Sequence, residues 1–332
     1  MTTKKKYFAT LSIAILLLPF MVSWGVYGHE HINHAAVLNL PEPLRLFFYN
    51  HIDFITQEST VPDLRKYTLL DKAEYPRHYA DIENFGPRDS LVKTLVDAQK
   101  KYTPEFLSKN GILLWYIDVM MEKLTKAFKE KRKTEILFLA ADLGHYIGDA
   151  HMPLHTTENH DGQLTDQRGI HAFWESHLPD LFGDTYNYKC DEAFYIRDIS
   201  EETKKIIFNS HSLVDTLLQA DRLLKKNLSV NEIYKTNGQG EILKNKFNQP
   251  VHSGIYAKKF HEALNGMVEK QLRKAINETS SYWYTAWVNA GKPDLSRLDA
   301  AETSTKNKVL LRKELDLYKK GKMINLNSES EF

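Results

Sequence analysis

Residues 145–175 read HYIGDAHMPLHTTENHDGQLTDQRGIHAFWE, a stretch whose spacings bear on the fold and the chemistry together. His145 and Asp149 stand four positions apart, as do His171 and Glu175, so on a helix each pair projects from one face. Two such pairs make two half-built metal sites, because neutral imidazole and carboxylate are both ligands for zinc. A catalytic zinc takes about three protein ligands and keeps one position for water. Pro153 ends the first helix, which lets His155 turn back toward it.

Outward from this stretch the apolar period is helical almost everywhere. Ile136, Ala140, Leu143 and Ile147 give the helix that carries His145 its core face. Before it, Leu113, Tyr116, Ile117, Met120, Leu124 and Phe128 recur at three- and four-residue steps, with Lys123, Lys126 and Lys129 on the other face. Leu264, Met267, Val268, Leu272, Ile276, Trp283 and Trp287 predict one long helix from about 257 to 289, closed by Gly291 and Pro293. Residues 229–256, with Asn237, Gly238, Gly240, Pro250 and Gly254, read as an irregular loop. The expected class is all-α, a single multi-helix domain over residues 24–300. A polar tail follows over 301–332, with one helix near Val309 to Lys319 and a disordered last ten residues.

The 332 residues are 42% hydrophobic, ample for a core. The N-terminus, MTTKKKYFATLSIAILLLPFMVSWG, sets Lys4, Lys5 and Lys6 before an apolar run from Phe8 to Val22, the pattern of a secretory signal spanning residues 1–23. That run is shorter than the roughly 20 residues of a membrane span, although an uncleaved tether is the competing reading. Export to a periplasmic or extracellular location is therefore expected. Losing three lysines with the signal takes the formal charge from +1 to −2, so the mature chain is not built to coat nucleic acid by charge alone. Cys190 is the only cysteine, which excludes an intrachain disulfide and leaves a buried, inert thiol as its expected role.

Upstream lie Asp63 in VPDLRKY, His78 in YPRHYADIE, and His29 in WGVYGHEH, five positions after Trp24. The ordered set WGxxGH, loop Asp, R-H-Y-x-D-I-E, H-x3-D-x5-H and H-x3-E, from Trp24 to Asp294, resembles the superfamily of zinc-dependent phospholipases C and fungal single-strand-specific nucleases. The resemblance implies an all-α fold with three zinc ions in a cleft. It assigns Asp63, His78, His145 and Asp149 to one zinc, and His155, His171 and Glu175 to a second. The third would sit on the α-amine and carbonyl oxygen of Trp24, with His29 and the other oxygen of Asp149, which makes Asp149 a bridge. Lys66 matches a basic residue that the nuclease branch places near phosphate, and Asp63 would also orient or deprotonate water. The implied reaction is phosphodiester cleavage by a zinc-activated hydroxide, with no obligate protein partner. Glu175 resembles the phospholipase side and the Trp24–His29 spacing the nuclease side, so phospholipid and single-stranded nucleic acid are close to evenly weighted as substrates. The lack of a basic surplus favours phospholipid slightly. A non-catalytic, zinc-stabilised binding protein is the alternative from another class, and a ligand set with open positions argues against it.

Four of the histidines outside these assignments are read as ordinary. His31 and His34 are off the motif, His160 with Asp161 reads as a solvated loop, and His211 with Asp215 as a structural pair without a third partner.

Overall fold

A helix buried on nearly every side is one at the centre of a domain, and α1 (Gly25–Asn39) is such a helix. The computed structural model describes residues 25–245, 249–324 and 326. Trp24, the expected signal segment over 1–23 and most of the last ten residues lie outside them. After α1 come α2 (Leu44–Tyr49), α3 (Ile52–Glu58), α4 (Val61–Tyr67), α5 (Leu95–Lys101), α6 (Pro104–Asn110), α7 (Leu113–Lys129) and α8 (Lys133–His151). The second half supplies α9 (Ile170–Ala172), α10 (Leu178–Phe182), α11 (Ile199–His211), α12 (Val214–Asn227), α13 (Val230–Ile233), α14 (Gly254–Ala263), α15 (Met267–Asn289) and α16 (Ala301–Tyr318). The fold is all-α: strand pairing among the described residues is limited to three isolated antiparallel bridges between positions 234 and 252.

The core lies where α1, α7, α8 and α15 pack together. The α7 stripe is buried from Leu113 to Phe128 as its period predicts. Each such side chain contributes about 1.5–3 kcal/mol on leaving water. Trp283 of α15 stacks on Phe48 at 5.0 Å and donates its indole N–H to the Ala140 carbonyl at 2.9 Å, which ties α15 to the helix bearing His145.

Two glycines set the distance between α1 and α8. A Cβ on Gly144 would collide with the Asn33 carboxamide, and one on Gly148 would come within 3.2 Å of His29 Nδ1. Asn33 cannot swing away cheaply, because its amide donates to the carbonyls of Ile55 and Ala141 at 3.2 and 3.1 Å. Gly144→Ala is accordingly expected to lose about 1–3 kcal/mol by overpacking, seen as a fall of several degrees in the thermal unfolding midpoint. An unchanged midpoint would show that the two helices have slack here.

Three expectations need correction. The long helix over 257–289 is two helices, broken where Asn265 and Gly266 take φ of +49° and +73° and so cannot continue a right-handed turn. The loop over 229–256 contains α13, opened by a Ser229–Glu232 capping box, and a ribbon of backbone bridges. The C-terminal helix begins at Ala301 rather than near Val309, and it is docked. Glu314 accepts from His34 and from the Tyr49 hydroxyl, both at 2.9 Å, while Asp299 just before the helix meets His51 at 2.7 Å. Polar anchors of this kind leave no apolar period to read.

Cys190 is half-buried with its sulfur 3.0 Å from the Tyr318 hydroxyl, and burial pushes its thiol up to about 11, which suits an inert role. No helix among the described residues is long and apolar enough to cross a membrane.

Candidate metal centre

One turn of α8 aims His145 and Asp149 the same way, and both are fully buried. Asp63 arrives from α4 and His78 from the end of a 3-10 turn, Tyr75–Arg77. His78 Nδ1 lies 2.9 Å from Asp149 Oδ2, 3.1 Å from His145 Nε2 and 3.6 Å from Asp63 Oδ1. His145 Nε2 is 3.2 Å from Asp149 Oδ2. These four residues, drawn from three segments, converge their donor atoms on one point.

The second group forms where the chain returns after Pro153. His155 Nε2 is 3.2 Å from His171 Nε2 and 3.4 Å from Glu175 Oε1, and His171 Nε2 is 2.8 Å from Glu175 Oε2. His171 and Glu175 were expected on a regular helix. The structure instead gives one α turn followed by a π turn, Phe173–His177, and the pair still meets. Single π turns recur at functional sites because they re-aim side chains.

The third group is His29, His145 and Asp149. His29 Nε2 is 3.6 Å from Asp149 Oδ1, and its ring stacks on His145 at 3.8 Å. Asp149 therefore turns Oδ2 toward His78 and His145 and Oδ1 toward His29. Neither ring nitrogen of His29 has a hydrogen-bond partner among the described residues, although the side chain is fully buried. Trp24, expected beside it, lies outside those residues.

Whether these groups suit a metal ion is answered by their protons and charges. A carbonyl can only accept, so it fixes which imidazole nitrogen carries hydrogen. His145 Nδ1 donates to Ser59 O at 2.7 Å, His155 Nδ1 to His78 O at 2.5 Å, and His171 Nδ1 to His160 O at 2.9 Å. Each thus has Nε2 as the one nitrogen it can offer its group, the arrangement that orients metal-ligating histidines. Burial and the neighbouring His145 push His29 down to about 3, leaving it neutral at physiological pH. Burial alone would raise the carboxyls, yet Lys66 and the histidines hold Asp63 below its usual range, and His145 and His155 hold Asp149 well below it. Burial would lower His155 too, but Asp149 and Glu175 outweigh it and raise the imidazole to about 9. A buried site that keeps its carboxylates ionised and draws a proton onto imidazole is short of positive charge. A divalent cation supplies it, so the donor set fits zinc.

Lys66 is only 4% exposed, with Nζ 3.0 Å from Asp63 Oδ1 and 4.4 Å from the Tyr67 ring centre. Beside the groups opens a cleft of about 380 Å³, lined by His78, His155 and His171, by Tyr67, Tyr75 and Tyr79, and by Lys66, Lys109, Asp81 and Glu158. A larger cavity of about 1080 Å³, bordered by Trp115, Asp118 and Arg197, contains none of the ligand groups, so size does not select the site.

The tyrosines and Lys109 escape a sequence reading, since aromatic residues next to helices look like core. His160 and Asp161 are more than a solvated loop: His160 holds His171 through its carbonyl, and Asp161 Oδ1 accepts the Gly169 N–H at 2.9 Å. His31, His34 and His211 are structural. His31 Nδ1 bonds Tyr27 O at 2.7 Å, His34 anchors α16, and His211 Nδ1 bonds Thr156 O at 2.9 Å.

An all-α domain that converges five histidines and three carboxylates beside a tyrosine-lined cleft defines a metallohydrolase of the zinc type. The family model described as S1/P1 Nuclease matches residues 24–276, and the chain belongs to that family of zinc-dependent phosphodiester hydrolases. No curated protein matches the sequence.

Proposed function

We propose that the chain cleaves single-stranded nucleic acid, holding three zinc ions: one on Asp63, His78, His145 and Asp149, one on His155, His171 and Glu175, and one on Trp24, His29 and Asp149. The observation that carries the substrate is the cleft lining. Three tyrosine rings and two lysines border the ligand groups, and base stacking on aromatic rings beside cations is how single strands are bound without regard to sequence. Bound in these groups, zinc neutralises charge developing on the phosphoryl and leaving oxygens and lowers the pKa of water toward ~7. The residues do the rest. Lys66 pairs with a phosphate oxygen, Asp63 orients the attacking water and accepts its proton, and the tyrosines stack the flanking bases. The local lysines outrank the near-neutral total charge that favoured phospholipid. The mature enzyme, freed of residues 1–23, acts after export.

Phospholipid is the second reading, and one observation favours it. Leu69 and Leu70, between cleft residues Tyr67 and Tyr75, are each 72% exposed. A tip of two leucines suits the boundary of a bilayer.

A substrate panel on zinc-reconstituted protein separates the two readings. Single-stranded DNA and RNA should be cut, yielding 5′-phosphorylated fragments as the resemblance implies, with mononucleotides and phosphatidylcholine vesicles much slower. Release of phosphocholine and diacylglycerol with intact oligonucleotides would reverse the assignment. Lys66→Ala should lower kcat/KM on oligonucleotides about 10²-fold, the scale of losing one transition-state donor. An unaltered rate would leave Lys66 as no more than a partner of Asp63.

A further inference from the structure

His78 differs from the other histidines around it. His145, His155 and His171 present Nε2 to the ligand groups and fix Nδ1 on a backbone carbonyl, whereas His78 presents Nδ1. Its Nε2 is buried, has no hydrogen-bond partner among the described residues, and faces Glu74 Oε1 at 3.5 Å.

Glu74 is itself a carboxylate at 0% exposure, outside every ligand group. A buried carboxylate without partners is prohibitively expensive, and this one is held on all sides. Its Oε1 accepts the Tyr146 hydroxyl, and its Oε2 accepts Arg77 Nη1 at 2.7 Å and Arg65 Nε at 3.3 Å. Arg65 continues to Asp142 Oδ2 at 2.7 Å. Asp142 and Tyr146 flank His145 on α8, so the network clamps the His78 segment onto the helix that carries His145 and Asp149.

We infer that Glu74 is a positioning residue of the metal centre, which holds His78 as the Nε2–H tautomer and aims its Nδ1 lone pair at the point shared with Asp63, His145 and Asp149. Arg65, Arg77 and Tyr146 serve by keeping the Glu74 carboxylate in place. The inference rests on the metal reading above. Removing an outer carboxylate behind a ligating histidine lowers metal affinity by about 10–100-fold.

The test is Glu74→Gln, which keeps the shape and removes the charge. Zinc affinity is read by competition with a chelator, helical content by circular dichroism, and the His78 tautomer by ring-nitrogen NMR of the metal-free protein. The expected result is about 10–100-fold weaker zinc binding at parental helical content. The His78 ring nitrogens should shift from one Nε2–H form to a mixture of tautomers, a change that mere loosening of the fold would not single out at this ring. Parental affinity with an unchanged His78 signature would overturn the inference while leaving the metal reading intact. A parent protein that binds no zinc would overturn both. Should Glu74→Gln fail to fold, Tyr146→Phe removes one anchor of the carboxylate without altering ring shape. Weaker zinc binding with an altered His78 signature supports the inference there, and parental values of both count against it.

Discussion

Asp149→Asn should lower phosphodiesterase activity by at least about 10³-fold and reduce the zinc bound per chain, the largest effect expected of any single substitution. The two oxygens of Asp149 face different partners, Oδ2 toward His78 at 2.9 Å and Oδ1 toward His29 at 3.6 Å. Asparagine keeps one oxygen but forfeits the charge and replaces the other oxygen with an amide nitrogen, which has no lone pair to offer a cation. Metal catalysis of phosphoryl transfer supplies several kcal/mol, and each 1.36 kcal/mol is about tenfold in rate. Zinc analysis of purified Asp149→Asn beside kcat measures both. Parental metal content with unchanged activity would remove Asp149 from its bridging role.

The second large effect concerns the terminus. We expect a form carrying one extra residue before Trp24 to keep its helical fold, bind one zinc fewer and lose most activity. Trp24 lies outside the described residues, and the observations bearing on it are those of Gly25 and His29. A Cβ on its neighbour Gly25 would come within 3.1 Å of Ser176 Oγ, so the chain enters α1 beside Glu175. His29, one turn on, faces Asp149 with both nitrogens lacking hydrogen bonds among the described residues. A free α-amine has a pKa of about 7.7–8.0 and yields its proton to zinc near neutrality, and the carbonyl of the same residue closes a five-membered chelate. A peptide nitrogen does neither. Zinc counting and rates on the extended and the unextended forms decide the matter, and equal values would exclude the amine as a ligand.

Much of this centre is legible in the chain. Spacing of four places His145 with Asp149 and His171 with Glu175, because side-chain direction along a helix is a local property. The apolar period gave the helices for the same reason, with the core face of α7 buried as expected. Local reading failed where the backbone left regular geometry. The left-handed pair Asn265–Gly266 split a predicted helix, and the π turn at Phe173–His177 interrupted another. The order of motifs tied Asp63, His78 and His29 to the centre by resemblance, without saying how they meet.

Tertiary packing alone decided the rest. His78 and Asp149 are 71 positions apart and 2.9 Å apart in space, a distance set by how α4, the 3-10 turn and α8 stack. Which imidazole nitrogen faces the ligand group depends on carbonyls such as Ser59 O, 86 positions from His145. The tyrosine lining of the cleft and the role of Glu74 follow from the same assembly. Residue chemistry and helical period are written locally and survive in the bare sequence. Burial, proton placement and the approach of α1 to α8 across Gly144 and Gly148 exist only once distant segments share a dry interior, where charge and hydrogen-bond demands become strong enough to choose one arrangement.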